Sequence, residues 1–361
     1  MSGGVDSSVV AALLREAGNE VIGAFMRNGV QAGAGRAHRQ GCCGVDDAHD
    51  ARRVADSLGI PFYAVDLEAR FDELIEGFAD SYATGRTPNP CIECNRSFKF
   101  GALLALADDL GAASVATGHY ARIARRNERI CVARGADEAK DQSYVLWPLQ
   151  QAVLARTLLP LGGMTKQTVR AEARRFGLRV AEKPESMEIC FVPGGDYREI
   201  VRARRPAAFE PGEIVDESGR SLGQHQGIAG FTVGQRRGLP GGQAQPLHVL
   251  EVDPSTRRVI VGARSALVAS KCRLEGVVWS GVGQLAHGET QAGVVQIRAH
   301  HVPVAASAAQ DAHGVQVSFG APAEAVTPGQ SAVLYDQDGC VLFGGVICST
   351  ERLVAQAPMP V

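Results

Sequence analysis

The stretch that decides the fold stands at the start of the chain as Ser2-Gly3-Gly4-Val5-Asp6-Ser7-Ser8, directly before an apolar helical run. Two glycines let the backbone approach a ligand closely, and the N–H groups at the start of a helix attract anions. Asp6 is suited to hold Mg²⁺ against phosphates, and the serines are suited to donate hydrogen bonds to phosphate oxygens. A bare Ser-Gly-Gly would favour an ordinary capped helix start, but the full string predicts an anion cradle.

The same stretch resembles the PP-loop of the N-type ATP pyrophosphatases, which split ATP between its α and β phosphates and activate a substrate oxygen as an adenylate. It lacks the Gly-Lys-Ser/Thr ending of a P-loop, which argues against the GTPase and kinase class. A PP-loop belongs between a strand and a helix, yet no strand-forming run precedes Ser2 in the sequence. We therefore expect the first, central strand of the sheet to be missing, with the edges of its two neighbours exposed.

The composition predicts a globular protein of two or three domains, with 361 residues, 45% hydrophobic and 21% charged. The first residues lack the basic, apolar and small-residue sections of a signal peptide, and no run of about 18 apolar residues occurs, so we expect a cytoplasmic protein without membrane association. The formal charge of −2 excludes a globally basic nucleic-acid binder but leaves room for a basic face. Nine cysteines in a reducing compartment are expected to be catalytic, metal-binding or buried, and a disulfide scaffold is not expected.

Residues 1–200 alternate helical and strand-like segments, which is the pattern of an α/β domain built on a parallel sheet. Ligands bind where the carboxyl ends of such strands meet, so the site is expected at that edge. Helices are predicted at Val5–Ala17, Asp46–Leu58, Phe71–Tyr82 and Phe100–Leu110, and strands at Val21–Met26, Pro61–Leu67 and Ala113–Thr117.

Beyond about residue 200, short apolar runs separated by Gly and Pro replace the helical periodicity. Residues 201–265 predict a small β-rich central domain that links the other two, and residues 266–361 predict a C-terminal β-barrel or sandwich. The expected strands are Gly212–Val215, Gly230–Val233, His248–Val252 and Val259–Val261, followed by Gly276–Trp279, Val294–Ile297, Val315–Phe319, Ser331–Tyr335 and Val341–Ile347.

A second motif, Thr87-Pro88-Asn89-Pro90-Cys91-Ile92-Glu93-Cys94-Asn95, places two cysteines behind two prolines. The prolines predict an extended loop that presents Cys94 near the start of the following helix, where thiols are more reactive. A Cys-x-x-Cys pair alone divides among zinc binding, redox chemistry and accident. A further cysteine, Cys190, follows in Ser186-Met187-Glu188-Ile189-Cys190-Phe191, and alone it is more often a small buried residue than a nucleophile.

Together these motifs resemble the tRNA-specific 2-thiouridylase family. The resemblance includes residues 117–122 and 140–144, continues through residues 225–227, 231–239 and 325–333, and covers nearly the whole chain. It implies a PP-loop ATP pyrophosphatase domain of the adenine nucleotide alpha hydrolase type, with ATP and Mg²⁺ as cofactors. It also implies that the carbon-2 oxygen of the wobble uridine in tRNA is adenylated and replaced by sulfur. The implied partners are tRNA and a persulfide-donating sulfur-relay protein or cysteine desulfurase.

The resemblance also implies roles for individual residues. Cys94 would be the nucleophile and Cys190 would carry the persulfide, a pair that can release sulfur by forming a disulfide. ATP would be bound by Ser2, Gly3, Gly4, Val5, Asp6, Ser7, Met26 and Gly118. The target base would meet Asn89, Pro90 and Cys91, and the rest of the tRNA would meet His119, Lys140, Asp141, Gln142, Arg298 and Gln330.

Position 91 departs from the family pattern, because some members carry Asp, a candidate proton carrier, where this chain has Cys91. Cys91, Cys94 and Cys190 could also ligate a [4Fe–4S] cluster, an alternative that stays open beside the favoured persulfide pair. Adjacent Cys42 and Cys43 are expected to be partly buried or to line the cleft. Two other functions stay open: a PP-loop ligase or amidotransferase for a small metabolite, and a non-catalytic zinc- or RNA-binding module.

Overall fold

The structure, a computed structural model, describes residues 1–29, 44–184, 189–192, 195–243, 245–299 and 301–353. An α/β region comes first, a four-stranded sheet follows, and a closed six-stranded barrel comes last. This confirms the predicted fold class. In the described residues no helix combines the length and the apolar character that crossing a membrane requires.

The first region begins with the predicted alternation of helices and strands. Its elements are α1 (Val5–Glu16), β1 (Gly23–Arg27), α2 (Val45–Leu58), β2 (Phe62–Asp66), α3 (Glu68–Ala83), α4 (Pro90–Glu93), a π-helix (Cys94–Gly101), α5 (Ala102–Asp109), β3 (Val115–Ala116), β4 (Ala121–Arg126), β5 (Arg129–Arg134), α6 (Gln151–Leu154), β6 (Thr157–Leu158), α7 (Lys166–Arg175) and α8 (Tyr197–Arg204). Short 3₁₀ turns at Ser143–Leu146, Pro160–Gly163, Arg179–Glu182 and Pro206–Phe209 connect them.

The helix that follows the cradle is held by apolar packing on one face. Val5, Val9 and Val10 of α1 are buried against a cluster that includes Val169 of α7 and Leu178. The spacing of these valines is that of one helix face, which explains why the run after the cradle folds as a helix. Packing of α1 against α7 brings the start of the chain close to a segment more than 150 residues away.

The strands of this region form parallel pairs. β1 pairs with β2 with Gly23 opposite Phe62, and β3 pairs with β6 with Val115 opposite Thr157. In the part of the chain that the structure describes, these pairs are two separate sheets. The expectation of a missing central strand stays a prediction. The antiparallel hairpin of β4 and β5 was not predicted, because its arginines interrupt the apolar pattern.

The central sheet contains β7 (Gly212–Asp216), β8 (Ser221–His225), β9 (His248–Asp253) and β10 (Arg258–Gly262) in the order β8-β7-β10-β9. The strand predicted at Gly230–Val233 is wrong, since a 3₁₀ turn at Ile228–Gly230 and further turns occupy that stretch. Its apolar residues still pack inward: Phe231 lies against the core of this sheet and Val233 against Leu250. Phe231 and Val233 are therefore packed inward by a turn and not by a strand of the sheet.

The C-terminal strands close into a barrel, which leaves no free sheet edge. They are β11 (Val268–Trp279), β12 (Thr290–Gln296), β13 (Val304–Asp311), β14 (Gly314–Glu324), β15 (Ser331–Tyr335) and β16 (Val341–Arg352), in the order β11-β14-β13-β12-β15-β16. A short 3₁₀ turn at Arg264–Leu267 precedes the first of them. Alternating residues such as Val315 and Val317 fill the interior together with Leu334 and Phe343.

A polar network joins the first region to the barrel. Asp141 accepts hydrogen bonds from the Arg134 guanidinium at 3.0 Å, from the Gly135 N–H at 2.9 Å and from the N–H and Oγ of Ser143. The same guanidinium lies over the ring of Tyr335 in β15, at 4.0 Å from its centroid. Arg134 also donates to the side chain of Gln296 in β12 at 2.9 Å. Asp141 therefore holds the residue that bridges the two domains.

We predict that Asp141→Ala lowers the free energy of unfolding by about 2 kcal/mol, because it removes the acceptor of a half-buried guanidinium and of two backbone N–H groups. Urea denaturation measures this difference. The matched control is Asp109→Ala, an exposed residue at the end of α5, which should change stability by less than about 0.5 kcal/mol. Equal stability of both variants would show that the network does not hold the domains together.

Candidate active site

The predicted anion cradle is a tight turn closed by its own serines. The Ser2 N–H donates to Ser7 Oγ at 2.9 Å, and Ser8 Oγ donates to the Gly4 carbonyl oxygen at 2.8 Å. Gly3 has φ +69°, and a Cβ at this position would lie 2.3 Å from the carbonyl oxygen of Asp47. No side chain fits there. The first N–H groups of α1 have no partner inside the helix and are available to an anion.

Asp6, in the first turn of α1, is held by two side chains that the sequence did not single out. Lys166 Nζ lies 2.7 and 2.9 Å from the two carboxylate oxygens, and the Tyr120 hydroxyl donates to one of them at 2.7 Å. Gly118 lies against the same turn, where a Cβ would be 3.0 Å from Asp6 Cβ and from the Ser7 nitrogen. The site thus combines the cradle with a fixed carboxylate and an ammonium group.

A second lysine contacts the cradle at Gly3. Lys183 Nζ donates to the Gly3 carbonyl oxygen at 3.0 Å and to the carboxylates of Asp47 and Asp50 at 2.7 Å each. Burial opposes the charge of Lys183, but the hydrogen bonds to Asp47 and Asp50 outweigh it and raise the pKa of this lysine above its ordinary value. Lys166 and Lys183 were missed by sequence reasoning because only the fold brings them to the cradle.

The cysteine motif begins a helix instead of an extended loop. Asn89 caps α4 through its Oδ1, which accepts from the Cys91 N–H at 3.1 Å, and Pro90 is the first helical residue. Proline is well tolerated at that position, which is why the prolines do not prevent a helix. The prediction of an extended loop up to Cys94 is therefore wrong. Helical structure runs from Pro90 to Asp109, so Cys91 lies in the first turn and Cys94 starts the π-helix.

The two predicted catalytic cysteines pack against the same core cluster. Cys94, Cys190 and Met26 are partly buried and lie against it. The cluster joins their segments through aromatic rings: Phe71 of α3 meets Phe98 of the π-helix at 5.0 Å and Phe191 at 5.8 Å between centroids. These edge-to-face contacts bring the π-helix that starts at Cys94 and the segment that contains Cys190 against the same helix, α3. π-Helical turns occur frequently at functional sites, which agrees with the position of Cys94.

Cys91 is exposed. In the part of the chain that the structure describes, no three His, Cys, Asp or Glu side chains form a group that would hold a metal ion. Cys42, Cys43 and residues 186–188 lie outside the described residues, so the expectation for that cysteine pair stays a prediction.

Some of the residues expected to meet tRNA also bind the protein itself. Gln142 Oε1 accepts from the Tyr120 N–H at 3.0 Å, and Gln330 Nε2 donates to the Thr87 carbonyl oxygen at 2.8 Å. Arg298 is exposed on the turn after β12, and Lys140 is half-buried. A cleft of about 930 Å³ runs between the first region and the barrel, and its lining includes Asn89, Pro90, Arg96, Trp147 and Gly329.

His119, directly after Gly118, is buried. Its Nδ1 lies 2.8 Å from Thr117 Oγ1, and its ring stacks on Phe100 with 6.0 Å between centroids. Burial, with a smaller contribution from the nearby Lys99 charge, lowers the pKa of His119 well below its ordinary value of 6.5. The imidazole is therefore neutral at physiological pH.

A neutral buried histidine predicts a specific pH dependence of stability. Below about pH 6.5 the unfolded chain binds a proton at His119 that the folded chain does not bind. The contribution of His119 to the free energy of unfolding is therefore fully present above that pH and is lost as the pH decreases. The decrease attributable to His119 is at most about 1.4 kcal/mol per pH unit. We expect His119→Gln to lose this part of the slope in urea denaturation between about pH 5 and pH 7. Identical slopes for both chains would contradict a neutral His119.

Comparison with known proteins places the chain in a family. It matches the families described as "tRNA methyl transferase HUP domain" over residues 1–194, "tRNA methyl transferase PRC-barrel domain" over residues 201–263 and "Aminomethyltransferase beta-barrel domain" over residues 269–347. It is 50% identical to the tRNA-specific 2-thiouridylase MnmA of Geobacter metallireducens, across 96% of this chain and 95% of the relative. It is 48% identical to the proteins of that name from Rhodopseudomonas palustris, across 98% and 90%, and Acidothermus cellulolyticus, across 98% and 97%. The chain belongs to the tRNA-specific 2-thiouridylase family.

Proposed function

We propose that this chain is a tRNA-uridine 2-sulfurtransferase of the cytoplasm, which adenylates the carbon-2 oxygen of the wobble uridine with ATP and then replaces it with persulfide sulfur. One observation carries the proposal: the glycine turn at the start of α1, with its fixed Asp6 carboxylate, lies in the same α/β region as two cysteines that pack against one core cluster. Adenylation and sulfur transfer need these two sets of groups. The relatives named above support the choice of reaction.

The cradle suits the adenylation step. The carbon-2 oxygen is a poor leaving group, and its attack on the α phosphate of ATP converts it into part of AMP, a good one, while pyrophosphate departs. Outward N–H groups at the start of α1 would stabilise the charge that develops on the pyrophosphate. Lys166, beside Asp6, would add a positive charge on the same side.

The residues at the cradle fit a magnesium ion. Mg²⁺ in nucleotide sites is held by one or two carboxylates together with substrate phosphates, and Asp6 is a half-buried carboxylate at the first turn of α1. When bound, the ion would neutralise phosphate charge. Lys166 donates to both Asp6 carboxylate oxygens and Tyr120 to one of them, so the carboxylate is held in place at the start of α1.

The cysteine pair suits the sulfur transfer. The terminal sulfur of a Cys190 persulfide would attack carbon 2, and AMP would leave with the bond electrons. The Cys94 thiolate would then attack the Cys190 sulfur, so that a Cys94–Cys190 disulfide forms while the transferred sulfur stays on the uridine. In this step the Cys94 thiolate is oxidised and the outer persulfide sulfur is reduced, and cellular thiols would reduce the disulfide to restore the pair. A sulfur-relay protein or cysteine desulfurase would reload Cys190.

The surface of the molecule offers sites for tRNA. The cleft beside Asn89 and Pro90 would take the target base, and its walls belong to the first region and the barrel. Exposed Arg298 on the barrel and Arg236 and Arg237 on the central domain would contact phosphates. Burial keeps His119 uncharged, so it would meet tRNA as a neutral hydrogen-bonding group.

We predict that Asp6→Ala reduces ATP cleavage by about 100-fold or more, because the cradle loses the carboxylate that Lys166 and Tyr120 hold in place. Chromatography of the nucleotide products with tRNA present provides the measurement, and AMP with pyrophosphate is the expected pair. Asp46→Ala, an exposed residue in the first turn of α2, is the control and should retain full cleavage. Formation of ADP and phosphate by the parent chain would refute the proposed reaction.

We predict that Cys94→Ser and Cys190→Ser each abolish thiolation while AMP formation remains measurable, because both thiols act after adenylation. Mass spectrometry of tRNA nucleosides measures 2-thiouridine. The control is Cys348→Ser, an exposed cysteine on the barrel that should leave thiolation unchanged.

The rival mechanism, in which Cys91, Cys94 and Cys190 hold a [4Fe–4S] cluster, makes a different prediction. Protein purified without oxygen would contain iron and acid-labile sulfide, and Cys91→Ser would be as inactive as the other two variants. Full thiolation by iron-free Cys91→Ser would exclude the cluster. Iron-dependent activity that requires all three cysteines would refute the persulfide pair.

A further inference from the structure

Lys183 has no role in the proposed reaction, yet its ammonium group connects the cradle to α2. Its three N–H donors match three acceptors: the Gly3 carbonyl oxygen at 3.0 Å and the carboxylates of Asp47 and Asp50 at 2.7 Å. We propose that Lys183 is a positioning residue that fixes the Gly3–Gly4 peptide, so that the Gly4 N–H faces the phosphates of ATP. This inference rests on the proposed function, since it concerns the ATP site.

Peptide geometry connects the lysine to the ligand side of the loop. The C=O of Gly3 and the N–H of Gly4 belong to one planar trans peptide and point in opposite directions. A carbonyl that points at Lys183 therefore turns the Gly4 N–H toward the opposite side of the loop, where the first turn of α1 begins. Without this contact the peptide between two glycines could rotate at little cost, because glycine adopts positive and negative φ about equally well.

The anchor itself is partly buried and held by further contacts. Lys183 and Asp47 retain 18% and 11% of their side-chain exposure, so their hydrogen bonds are partly shielded from water. Asp47 also accepts from the Gly44 N–H at 3.1 Å, at the start of α2, and its carbonyl oxygen packs against Gly3. Charged hydrogen bonds of this kind are stronger than neutral ones. Lys183 thus ties the cradle to α2, and the chain that follows it leads to Cys190.

The test measures binding of inorganic pyrophosphate with Mg²⁺ by calorimetry, because this probe occupies the cradle without turnover. Lys183→Met should weaken pyrophosphate binding about tenfold or more, raise the KM for ATP and leave the KM for tRNA unchanged. The control is Arg174→Met, which removes an exposed ion pair to Glu182 without touching the cradle and should bind pyrophosphate like the parent.

A charge-matched variant separates positioning from electrostatic repulsion. Lys183→Met alone leaves Asp47 and Asp50 unneutralised near an anion, whereas Lys183→Met/Asp50→Asn has the same net charge as the parent. Thermal unfolding shows that each variant is folded, and the double variant supplies the measurement if the single one is unstable. Weakened binding by the folded double variant is expected.

Restored binding by the double variant would overturn the inference, because charge and not orientation would then explain the single variant. A parent chain that binds pyrophosphate but forms no AMP would instead refute the proposed function. A parent chain that binds neither pyrophosphate nor ATP would refute both.

Discussion

The N–H groups at the start of α1 can serve an anion only if the carbonyl groups of the same loop are turned away from it. Side chains satisfy this constraint at two consecutive residues: Ser8 donates to the Gly4 carbonyl, and Lys183 donates to the Gly3 carbonyl. Gly3 also needs a positive φ and the absence of a side chain, because it packs on Asp47. The two lysines at the cradle come from one stretch, which begins with Lys166 at the start of α7 and ends with Lys183, directly after the 3₁₀ turn at Arg179–Glu182. Packing of α1 against α7 therefore makes the cradle possible.

The barrel also contributes to the arrangement of the cysteine motif. Its turn at Pro328–Gln330 is hydrogen-bonded to Thr87 in both directions, since the Thr87 N–H donates to the Pro328 carbonyl at 2.9 Å and Gln330 donates to the Thr87 carbonyl. Thr87 lies two residues before the cap of α4. A domain expected to bind tRNA thus holds the segment that carries Cys91 and Cys94. The turn of the barrel and the placement of the thiols are therefore physically linked.

Much of the fold could be read from the sequence, because its helices and strands have strong local patterns. The helix after Gly4 and the strand that ends at Asp66 appear with ends shifted by one residue, since apolar spacing and a flanking Gly or Pro determine them. Turns that bury apolar residues are less predictable: Phe231 packs inward without belonging to a strand. The same limit explains the start of α4, where Pro90 is compatible with both a loop and the first turn of a helix.

Residues of the candidate site could be proposed from the sequence where they belong to one continuous motif. Residues that reach the site from distant parts of the chain could not. Ser2 to Ser8 indicate an anion cradle by themselves, but nothing near Lys166 or Lys183 in sequence marks them as its neighbours. The proposed mechanism requires that the uridine oxygen itself is adenylated. A tRNA that carries a heavy-oxygen label at carbon 2 of the wobble uridine tests it most directly, with mass spectrometry of the released AMP. We predict that the label appears in AMP. Label that appears in inorganic phosphate or remains in the thiolated tRNA would contradict the mechanism.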